Sequence, residues 1–595
     1  MFYINLKRFI KSPVFLLGTL AYMIILYLMQ PIHTATGIED ISNTALSTQT
    51  FSFFYFMMIS YEFFYQIRRC RLDEIVSISR MGAGREKIYG LLIFLGLDLI
   101  LYIVYLAVSM IGTTSVLKEF NTDWLIMLVK AYFIYHFLTY FFAMLAGMLI
   151  AMIPSRIKGF FALVTVFSMF SRILYPIMMN SAAASERWTH VLDIFGIMNR
   201  NYNVLCDLIY GYTTEAVNLQ RILFWILLTL SGLSLVMNKI RKKAVTALLF
   251  MAACTVFIFY IQPSGDRYVY GNWGAYMDDQ QYYSLIYYNA DPASDVYLTA
   301  MEHQGIGRKY KEPDFKILEY KGELTPGRVL AVSLDVTVDR QKLPEYGFTL
   351  YHGYVVKRVT DETGEELSFE QDIDHVLVRT NKAHRLEKIH FEYEGYSRKY
   401  VATSQAVFLT GNFPYLPNAG WNEYMIEPVG NYWQHGYNLK GAMYPVHYDI
   451  RFPTKHQMYS NLSESEDGRY VGTAEGATFV ASPFVKEMRL KDGVVYYSVL
   501  ATPYWKNNIE KTRETAEKSF QAVKGLDRGK KGPWILFDLA NVMDADISWY
   551  IASDHAVAAP ESLPELYEYY QETGCTIDHT KWDKEEQVEP EEDLP

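Results

Sequence analysis

The chain has 595 residues, of which 51% are hydrophobic, 16% aromatic and only 20% charged. Its charges divide along the sequence: residues 1–262 carry 21 Lys/Arg and 13 Asp/Glu (net +8), and residues 263–595 carry 34 and 52 (net −18), which together give the net charge of −10. This asymmetry excludes a simple soluble enzyme, a nucleic-acid-binding protein and a mostly disordered chain. It predicts a membrane domain followed by an acidic soluble domain.

The first element in chain order is a short basic segment, Met1–Ser12, which reads MFYINLKRFIKS. The segment is amphipathic as well as basic, which is typical of a helix that lies at a membrane surface. The same charges would also serve as an ordinary basic flank that orients the next segment, so both interpretations stay open.

Seven apolar runs follow that are long enough to cross about 30 Å of hydrocarbon, which takes roughly 20 helical residues. They cover residues 13–30, 50–66, 88–113, 123–152, 158–180, 219–237 and 244–262. With the N-terminus in the cytoplasm, the segments on that side carry 15 Lys and Arg residues, whereas the opposite segments before residue 219 carry three. Because positive charges favour the cytoplasmic side, we expect this orientation, with residues 263–595 extracellular.

Five ionisable residues fall inside these runs, where a charge requires a partner. They are Glu62, Asp98, Lys130, His136 and Arg172. Asp98 lies near the middle of its run, and a pair with Arg172 or Lys130 would neutralise it. Lys130 could instead extend its side chain to the membrane surface. Two interpretations stay open: a polar lining of a translocation path, or an internal ion pair that fixes helix packing.

The cytoplasmic segment between the second and third runs, residues 67–89, reads IRRCRLDEIVSISRMGAGREKIY. Its apolar residues can line one side of a short helix, which the Gly-rich end of the segment would terminate. Together with the basic N-terminal segment and six apolar runs, this order of features resembles the type-2 ABC exporter permeases. The resemblance covers roughly residues 1–240 and implies a bacterial plasma-membrane protein, in which residues 241–262 add a seventh transmembrane helix.

In that family the loop helix between the second and third spans docks into an ATPase subunit. Carried over by position, the resemblance assigns coupling to Leu72, Asp73, Glu74, Ile75, Ile78, Arg80, Gly82 and Arg85. The implied partners are an ABC ATPase and a second permease copy, in a homodimer or a heterodimer within the lipid bilayer. A basic loop that only orients the protein is the alternative.

This chain has no phosphate-binding loop of its own, because the nearest string, residues 525–532, has the wrong spacing. We therefore expect ATP and Mg to bind a separate ATPase polypeptide, and this chain to bind no cofactor.

The outer half begins with a Tyr-rich connector, residues 263–313, which we expect at the lipid boundary. From 314 to 505 short alternating runs such as Val329–Val338 are separated by turn signals such as Asp467-Gly468. Repeated short strands with this spacing predict an extracellular, mainly-β sandwich.

The last part of the chain has a different pattern. Asn507–Lys524 is polar with helical period, Trp534–Phe537 is a predicted strand and Ser562–Glu572 a predicted short helix. These elements predict a small α/β extension over residues 506–580. The acidic end, residues 581–595, is predicted to be disordered.

A second resemblance rests on four blocks of the outer half, and it covers roughly residues 314–560. The blocks are Leu350-Tyr-His-Gly-Tyr354, Gly364-Glu-Glu-Leu-Ser-Phe369, Ile389-His-Phe-Glu-Tyr-Glu-Gly395 and Tyr444-Pro-Val-His-Tyr-Asp-Ile-Arg-Phe-Pro453. Their order resembles the N-terminal β-domain of the aminopeptidase N family of zinc peptidases. That family's chemistry needs His-Glu-x-x-His and a further Glu, and none of the 13 His residues here is followed by Glu.

The domain is therefore predicted to be catalytically inactive and to hold no metal. Ser553-Asp-His555 is contiguous and cannot form a nucleophilic triad by itself.

The sequence as a whole predicts a polytopic α-helical membrane domain, with six permease-like spans and a seventh span, joined to an extracellular mainly-β sandwich. The predicted function is that of a transporter subunit without its own ATPase, which exports peptides or other amphipathic compounds. Its outer domain would bind or gate the cargo. The alternative is a membrane-anchored extracellular receptor or scaffold that does not transport.

Overall fold

The structure is a computed structural model of the chain. It describes residues 2–29, 49–70, 83–117, 122–171, 174, 191–198, 209–212, 216–237, 243–262, 313–340, 342–372, 374–380, 386–397, 400–429, 432–438, 444–500, 505–526, 534–539 and 550–573. The chain divides into two compact units. We call them the helical body (residues 1–207, 211–262 and 503–506) and the β-rich body (208–210, 263–502 and 507–595).

The helical body contains a helix at each of the seven predicted runs. In chain order the elements are α1 (Phe2–Ile10), α2 (Pro13–Met29), α3 (Gln49–Arg69), α4 (Ala83–Leu117), α5 (Thr122–Tyr132), a π-helix (Phe133–Leu138), α6 (Thr139–Ile150), α7 (Arg156–Phe170), a 3-10 helix (Asp193–Phe195), α8 (Ala216–Met237) and α9 (Lys243–Tyr260). The stretch from α5 through the π-helix to α6 is one continuous helical rod, as the apolar run 123–152 predicts.

Four helices among the described residues are long and apolar enough to cross a membrane, where the sequence predicted seven. They are Lys87–Ile111, Thr122–Ile150, Ala216–Val236 and Lys243–Tyr260. The predicted span at 13–30 contains only a shorter apolar helix, Phe15–Ile24. The helix at 50–66 carries Tyr, Ser and Gln residues and ends in two arginines, which lowers its hydropathy, and more than half of its residues are buried within the body.

The basic N-terminal segment forms α1, whose apolar side is covered by neighbouring helices. The Phe9 ring lies 3.7 Å from the ring of Phe15, 4.9 Å from Phe94 and 5.8 Å from Phe63, measured between centroids. The Arg8 guanidinium lies 4.3 Å above the Phe63 ring, a cation–π contact. The amphipathic pattern therefore has a packing role that the sequence alone did not distinguish from membrane-surface binding.

Helices α3 and α6 approach each other closely at a glycine. A Cβ atom added to Gly147 would lie 2.3 Å from the carbonyl oxygen of Met57, a distance that real contacts do not reach. One turn away the Ser60 hydroxyl donates a hydrogen bond of 2.7 Å to the carbonyl of Met144. Small residues that let helix backbones meet are typical of packing between membrane helices.

The β-rich body contains short strands, as the alternating pattern predicts. They are β1 (Ile317–Thr325), β2 (Leu330–Val338), β3 (Glu345–Thr349), β4 (Tyr354–Asp361), β5 (Ser368–Asp372), β6 (His375–Arg379), β7 (Lys388–Gly395), β8 (Val407–Leu409), β9 (Asn418–Ala419), β10 (Glu423–Val429), β11 (Tyr432–Asn438), β12 (Val446–Arg451), β13 (Met458–Ser460), β14 (Ser463–Glu464), β15 (Arg469–Ala474), β16 (Phe479–Ala481), β17 (Val485–Arg489), β18 (Gly493–Ser498), β19 (Trp534–Asp538), β20 (Tyr550–Ile551) and β21 (His555–Val557).

These strands form several sheets. The largest has seven strands in the order β14-β15-β12-β1-β2-β7-β4, in which β1 and β12 are parallel and the other pairs antiparallel. The others are β5-β6-β3-β9, β13-β16-β8, the hairpin β10-β11, and β17-β18-β19-β21-β20. Parallel pairing of β1 with β12 brings together segments more than 120 residues apart, which no local pattern could indicate.

One hydrophobic core lies between the seven-stranded sheet and the smaller sheets. Phe348 of β3 packs against Phe391 of β7 at 5.1 Å, and Phe479 of β16 packs against Tyr470 of β15 at 5.7 Å. The alternation predicted for β2 is confirmed, because its alternate residues are all buried: Leu330, Val332, Leu334, Val336 and Val338. The predicted turn at Asp467-Gly468 is confirmed too, since Gly468 has a φ of 73° that favours glycine.

The five-stranded sheet forms a separate α/β layer with α10 (Trp505–Leu526) and α11 (Leu563–Thr573). Both helices pack their apolar faces on it: Phe520 of α10 and Tyr567 of α11 share a core with Val495 and Leu536. The layer begins at Val485, since β17 pairs with β18 and β18 pairs with β19, whereas the sequence predicted its start at residue 506. The two strands alternate like sandwich strands, so their pattern could not show which sheet they join.

We predict that Gly147→Ala destabilises the helical body, because the new methyl group must separate α3 from α6. Gly96→Ala is the matched control: Gly96 is also helical, but an added Cβ meets nothing within 4 Å. Since Ala is favoured over Gly in helices by about 1 kcal/mol, the control should be neutral or stabilising. Thermal unfolding of the detergent-purified chain measures both, and equal melting temperatures for the two variants would contradict the close packing at Gly147.

Candidate functional site

The predicted coupling segment falls mostly outside the described residues. Leu72, Asp73, Glu74, Ile75, Ile78, Arg80 and Gly82 all lie there. Arg85 lies in the first turn of α4, which begins at Ala83. The described flanks are the end of α3 at Arg69 and the start of α4, so the segment joins these two helices.

Two of the predicted intramembrane ionisable residues, Asp98 of α4 and His136 of the π-helix, are buried in one polar cluster. Both are 1% exposed. Neither Asp98 carboxylate oxygen has a hydrogen-bond partner among the residues that the structure describes, and the same holds for Nε2 of His136. Buried polar atoms are normally hydrogen-bonded, so unfilled atoms of this kind indicate a binding or catalytic role.

The π-helix sets the position of His136. Its Nδ1 atom lies 2.8 Å from the hydroxyl of Tyr140, in the first turn of α6. The imidazole stacks on the Tyr105 ring at 5.0 Å and meets the Tyr132 ring edge-on at 4.9 Å. Single π-helical turns inside α-helices are frequent at functional sites, because they rotate the following side chains away from the regular helical positions.

Tyrosine and serine hydroxyls complete what we call the polar cluster: Tyr22, Ser52, Asp98, Tyr105, His136 and Tyr140. The Tyr22 hydroxyl lies 2.9 Å from the Ser52 hydroxyl, and Tyr105 lies close enough to Tyr22 to act on it electrostatically. Tyr140 lies close enough to Asp98 for a charge on that carboxylate to act on its hydroxyl. The cluster therefore draws on five segments of the helical body, from α2 to α6.

The other predicted intramembrane residues lie elsewhere. Glu62 accepts a hydrogen bond from Gln66 at 3.0 Å and pairs with Arg156 at 3.6 Å. Lys130 is exposed on α5, so the predicted Asp98–Lys130 pair does not form. The reason is helical phase, since Asp98 points inward from α4 while Lys130 points away from the core. Arg172 lies outside the described residues.

Sequence reasoning missed the hydroxyl groups of the polar cluster, because tyrosine is abundant throughout the chain. A signal was present in the spacing. Tyr105 is seven residues after Asp98 and Tyr140 four after His136, and each interval returns to the same face of a helix. The π-helix itself leaves no sequence signal that we can identify.

A buried hydrogen-bond chain in the β-rich body resembles a catalytic triad in its order of groups. Nδ1 of His555 lies 2.9 Å from Oδ1 of Asp554, and Nε2 lies 2.8 Å from the Thr478 hydroxyl. Asn461 donates to the other Asp554 oxygen at 2.8 Å. Thr478 and His555 are both 0% exposed, so no substrate reaches the Thr478 hydroxyl. These hydrogen bonds therefore connect β21 to the loop before β16.

Two carboxylates of the β-rich body have pKa values shifted in opposite directions. Burial, with a contribution from the nearby charge of Glu561, raises the pKa of Asp538 to about 7. Burial also acts to raise the pKa of Asp554, but the charge of His555 and hydrogen bonds from His555 and Asn461 outweigh it. They hold the pKa of Asp554 below its ordinary value.

Some solved structures share part of the chain's arrangement. The chain is similar over 44% of its length to the M1 zinc metallopeptidase from Deinococcus radiodurans, with 11% identity, a TM-score of 0.29 and coverage of 64% of that structure. It is also similar over 44% of its length to the native leukotriene A4 hydrolase from Saccharomyces cerevisiae, with 13% identity, a TM-score of 0.26 and coverage of 45%.

The chain thus spans less than two thirds of either structure. Similarity at this level carries no argument about activity. No protein-family profile and no curated protein matches the sequence.

We predict that Asp538→Asn and Asp554→Asn change stability with opposite signs. The folded state holds the Asp538 proton more tightly than the unfolded state, so the free energy of unfolding falls as pH rises from about 4 to about 7. At pH 8 Asp538→Asn should therefore stabilise the β-rich body. Asp554 stabilises the fold above pH ~4, and this contribution is lost as pH falls below that, so Asp554→Asn should destabilise at neutral pH. Melting temperatures measured at pH 5 and pH 8 should shift by about 2–4 °C for each ~1 kcal/mol of change in the free energy of unfolding. Shifts of the same sign at pH 8 would contradict this assignment.

Proposed function

We propose that this chain is the membrane-spanning permease subunit of an ATP-driven ABC exporter that moves peptides or other amphipathic compounds. The β-rich body is its extracellular, catalytically inactive domain, which binds or gates the cargo. A separate ABC ATPase and a second permease copy complete the transporter. The polar cluster within the helical body is the observation that carries this proposal.

The first support is the combination of apolar helices and charge placement. Four described helices are long and apolar enough to cross a bilayer, and many of their apolar side chains are exposed on the surface of the helical body. Exposed apolar surface of this extent needs a lipid or protein environment. The Lys and Arg residues lie in alternate connections of the sequence, the distribution that orients bacterial membrane proteins.

The second support is the free energy that is needed to bury the polar cluster among membrane helices. Placing an Asp at the centre of a membrane helix costs about 3 kcal/mol. A helix bundle that served only as an anchor for a receptor would gain nothing in return for Asp98. A transport path must present polar groups to a cargo inside the membrane, so the cluster favours transport over the receptor or scaffold alternative.

The third support is a mechanical connection from the predicted coupling segment to the polar cluster. At the end of α3 next to that segment, the Arg68 guanidinium donates to the carbonyl of Met152, in the loop after α6. Further along, Ser60 and the close approach at Gly147 tie α3 to α6. A displacement of the coupling segment when ATP closes the motor would therefore move α3 and α6 together, and with them Tyr140.

We predict that the chain, purified from its native membrane in mild detergent, brings an ABC ATPase with it and shows ATP hydrolysis. Scrambling residues 72–85 should abolish both, because the docking surface for the ATPase is lost. The control scrambles residues 238–243, another connection predicted on the cytoplasmic side, and should leave both intact. Co-purification followed by an ATPase assay measures each variant.

Recovery of extracellular proteins alone, with no nucleotide hydrolysis, would contradict this proposal and make the receptor or scaffold the better account. Equal ATPase recovery from the 72–85 scramble would leave the exporter standing and contradict the coupling role of this segment.

A further inference from the structure

The Asp98 carboxylate has no positive partner in the described part of the helical body. Its two oxygens are buried and accept no hydrogen bond there, and Lys130, the nearest cation that the sequence suggested, is exposed. A carboxyl group buried in an apolar body keeps a negative charge only when a positive group or hydrogen-bond donors reach it, and otherwise it takes up a proton. Both oxygens of Asp98 are therefore available to a cation that donates hydrogen bonds.

His136 provides a further unfilled acceptor in the same cluster. Its Nδ1 bonds with the Tyr140 hydroxyl at 2.8 Å, and in the tautomer that donates from Nδ1 its Nε2 is a free acceptor. The hydroxyl of Tyr140 lies in the field of Asp98, so it links the two ionisable residues. A ligand that reaches both residues would meet two carboxylate oxygens, one imidazole nitrogen and the hydroxyl of Tyr140.

This set of groups matches an alkylammonium ion. Such an ion carries one positive charge and donates up to three hydrogen bonds, and aromatic rings attract it further through cation–π contacts. Phe56, stacked on Tyr140 at 5.0 Å, and Tyr105 supply aromatic surface beside the acceptors. A hard metal ion such as calcium needs six to eight oxygen ligands, usually several carboxylates, and the cluster has one carboxylate.

We propose that Asp98, His136 and Tyr140 form a binding site for the ammonium group of a cationic amine. On the proposed function, on which this step rests, the cargo is an amine-bearing compound such as a peptide with a free amino group. Asp98 neutralises its charge within the membrane, and the tyrosine hydroxyls and ring faces hold the ammonium group.

The test is binding of 2-phenylethylamine to the purified full-length chain in detergent at pH 7, measured by isothermal titration calorimetry. Its neutral isostere, 2-phenylethanol, controls for simple partitioning into detergent. We expect the amine to bind saturably and the alcohol not to bind. Asp98→Asn should weaken amine binding at least tenfold. Glu62→Gln, which removes a carboxylate already paired with Arg156, should leave amine binding unchanged.

His136→Phe is the second variant, because it keeps the charge of Asp98 and an aromatic ring beside Tyr105, and removes the acceptor at Nε2. It should weaken amine binding several-fold even if Asp98→Asn fails to fold. Equal binding of amine and alcohol, or full amine binding by a folded Asp98→Asn chain, would overturn the site. Amine binding that arises only in Arg172→Gln would also overturn it, since Arg172 would then be the natural partner of Asp98.

The assay separates this inference from the proposed function, because it needs neither an ATPase nor a membrane. Recovery of an ATPase without amine binding would leave the exporter standing and remove its cationic cargo. Amine binding without an ATPase would keep the site and contradict the exporter.

Discussion

A single carboxylate, buried among apolar helices without a countercharge in the described part of the protein, constrains the helical body more than any other group. Asp98 is 1% exposed, and its charge acts on the hydroxyl of Tyr140, which in turn is bonded to His136. Such a charge is expensive in any bundle and more so in a membrane. The proposed site for a positive charge gives a role to the π-helix, the tyrosine hydroxyls and the inward face of α4.

The β-rich body is stabilised by other interactions than the helical body. Its core is built mainly from aromatic and β-branched residues, and some of its buried polar groups are paired internally, as in the Asp554–His555–Thr478 series of hydrogen bonds. The same three groups would be catalytic if they lay at a surface, but both His555 and Thr478 are closed off from solvent. Burial therefore distinguishes a structural hydrogen-bond chain from a reactive one, where the order of groups does not.

Local sequence patterns predicted the helices, strands and turns well, but they did not predict which strands pair with each other. The inward residues of β2, the helix of α10 and the turn at Gly468 follow from periodicity and turn chemistry, which depend on a few adjacent residues. The parallel pairing of β1 with β12 depends on contacts between distant segments, and the pattern of β17 did not show which sheet it joins. The periodicity of hydrophobic residues within one strand does not determine either of these pairings.

The same limit applies to the polar cluster. Asp98 and His136 were predictable as unusual residues in apolar runs, and their burial follows from that. Their shared site was not predictable, because it depends on the phase of α4 relative to the rod formed by α5, the π-helix and α6. The proposed pairing with Lys130 failed for the same reason, since a residue's position along a span says nothing about which way it faces.

The account depends most on the chain crossing a membrane with its β-rich body outside, and cysteine labelling tests this directly. In a chain whose Cys206, Cys254 and Cys575 are replaced by Ser, the exposed native Cys70 reports on the segment after α3. Glu466→Cys, added to a chain that also lacks Cys70, reports on the exposed turn between β14 and β15. A membrane-impermeant maleimide should label the Glu466→Cys chain on intact cells, and the chain that keeps Cys70 only after permeabilisation. Labelling of both chains, or of neither, on intact cells would contradict the proposed topology.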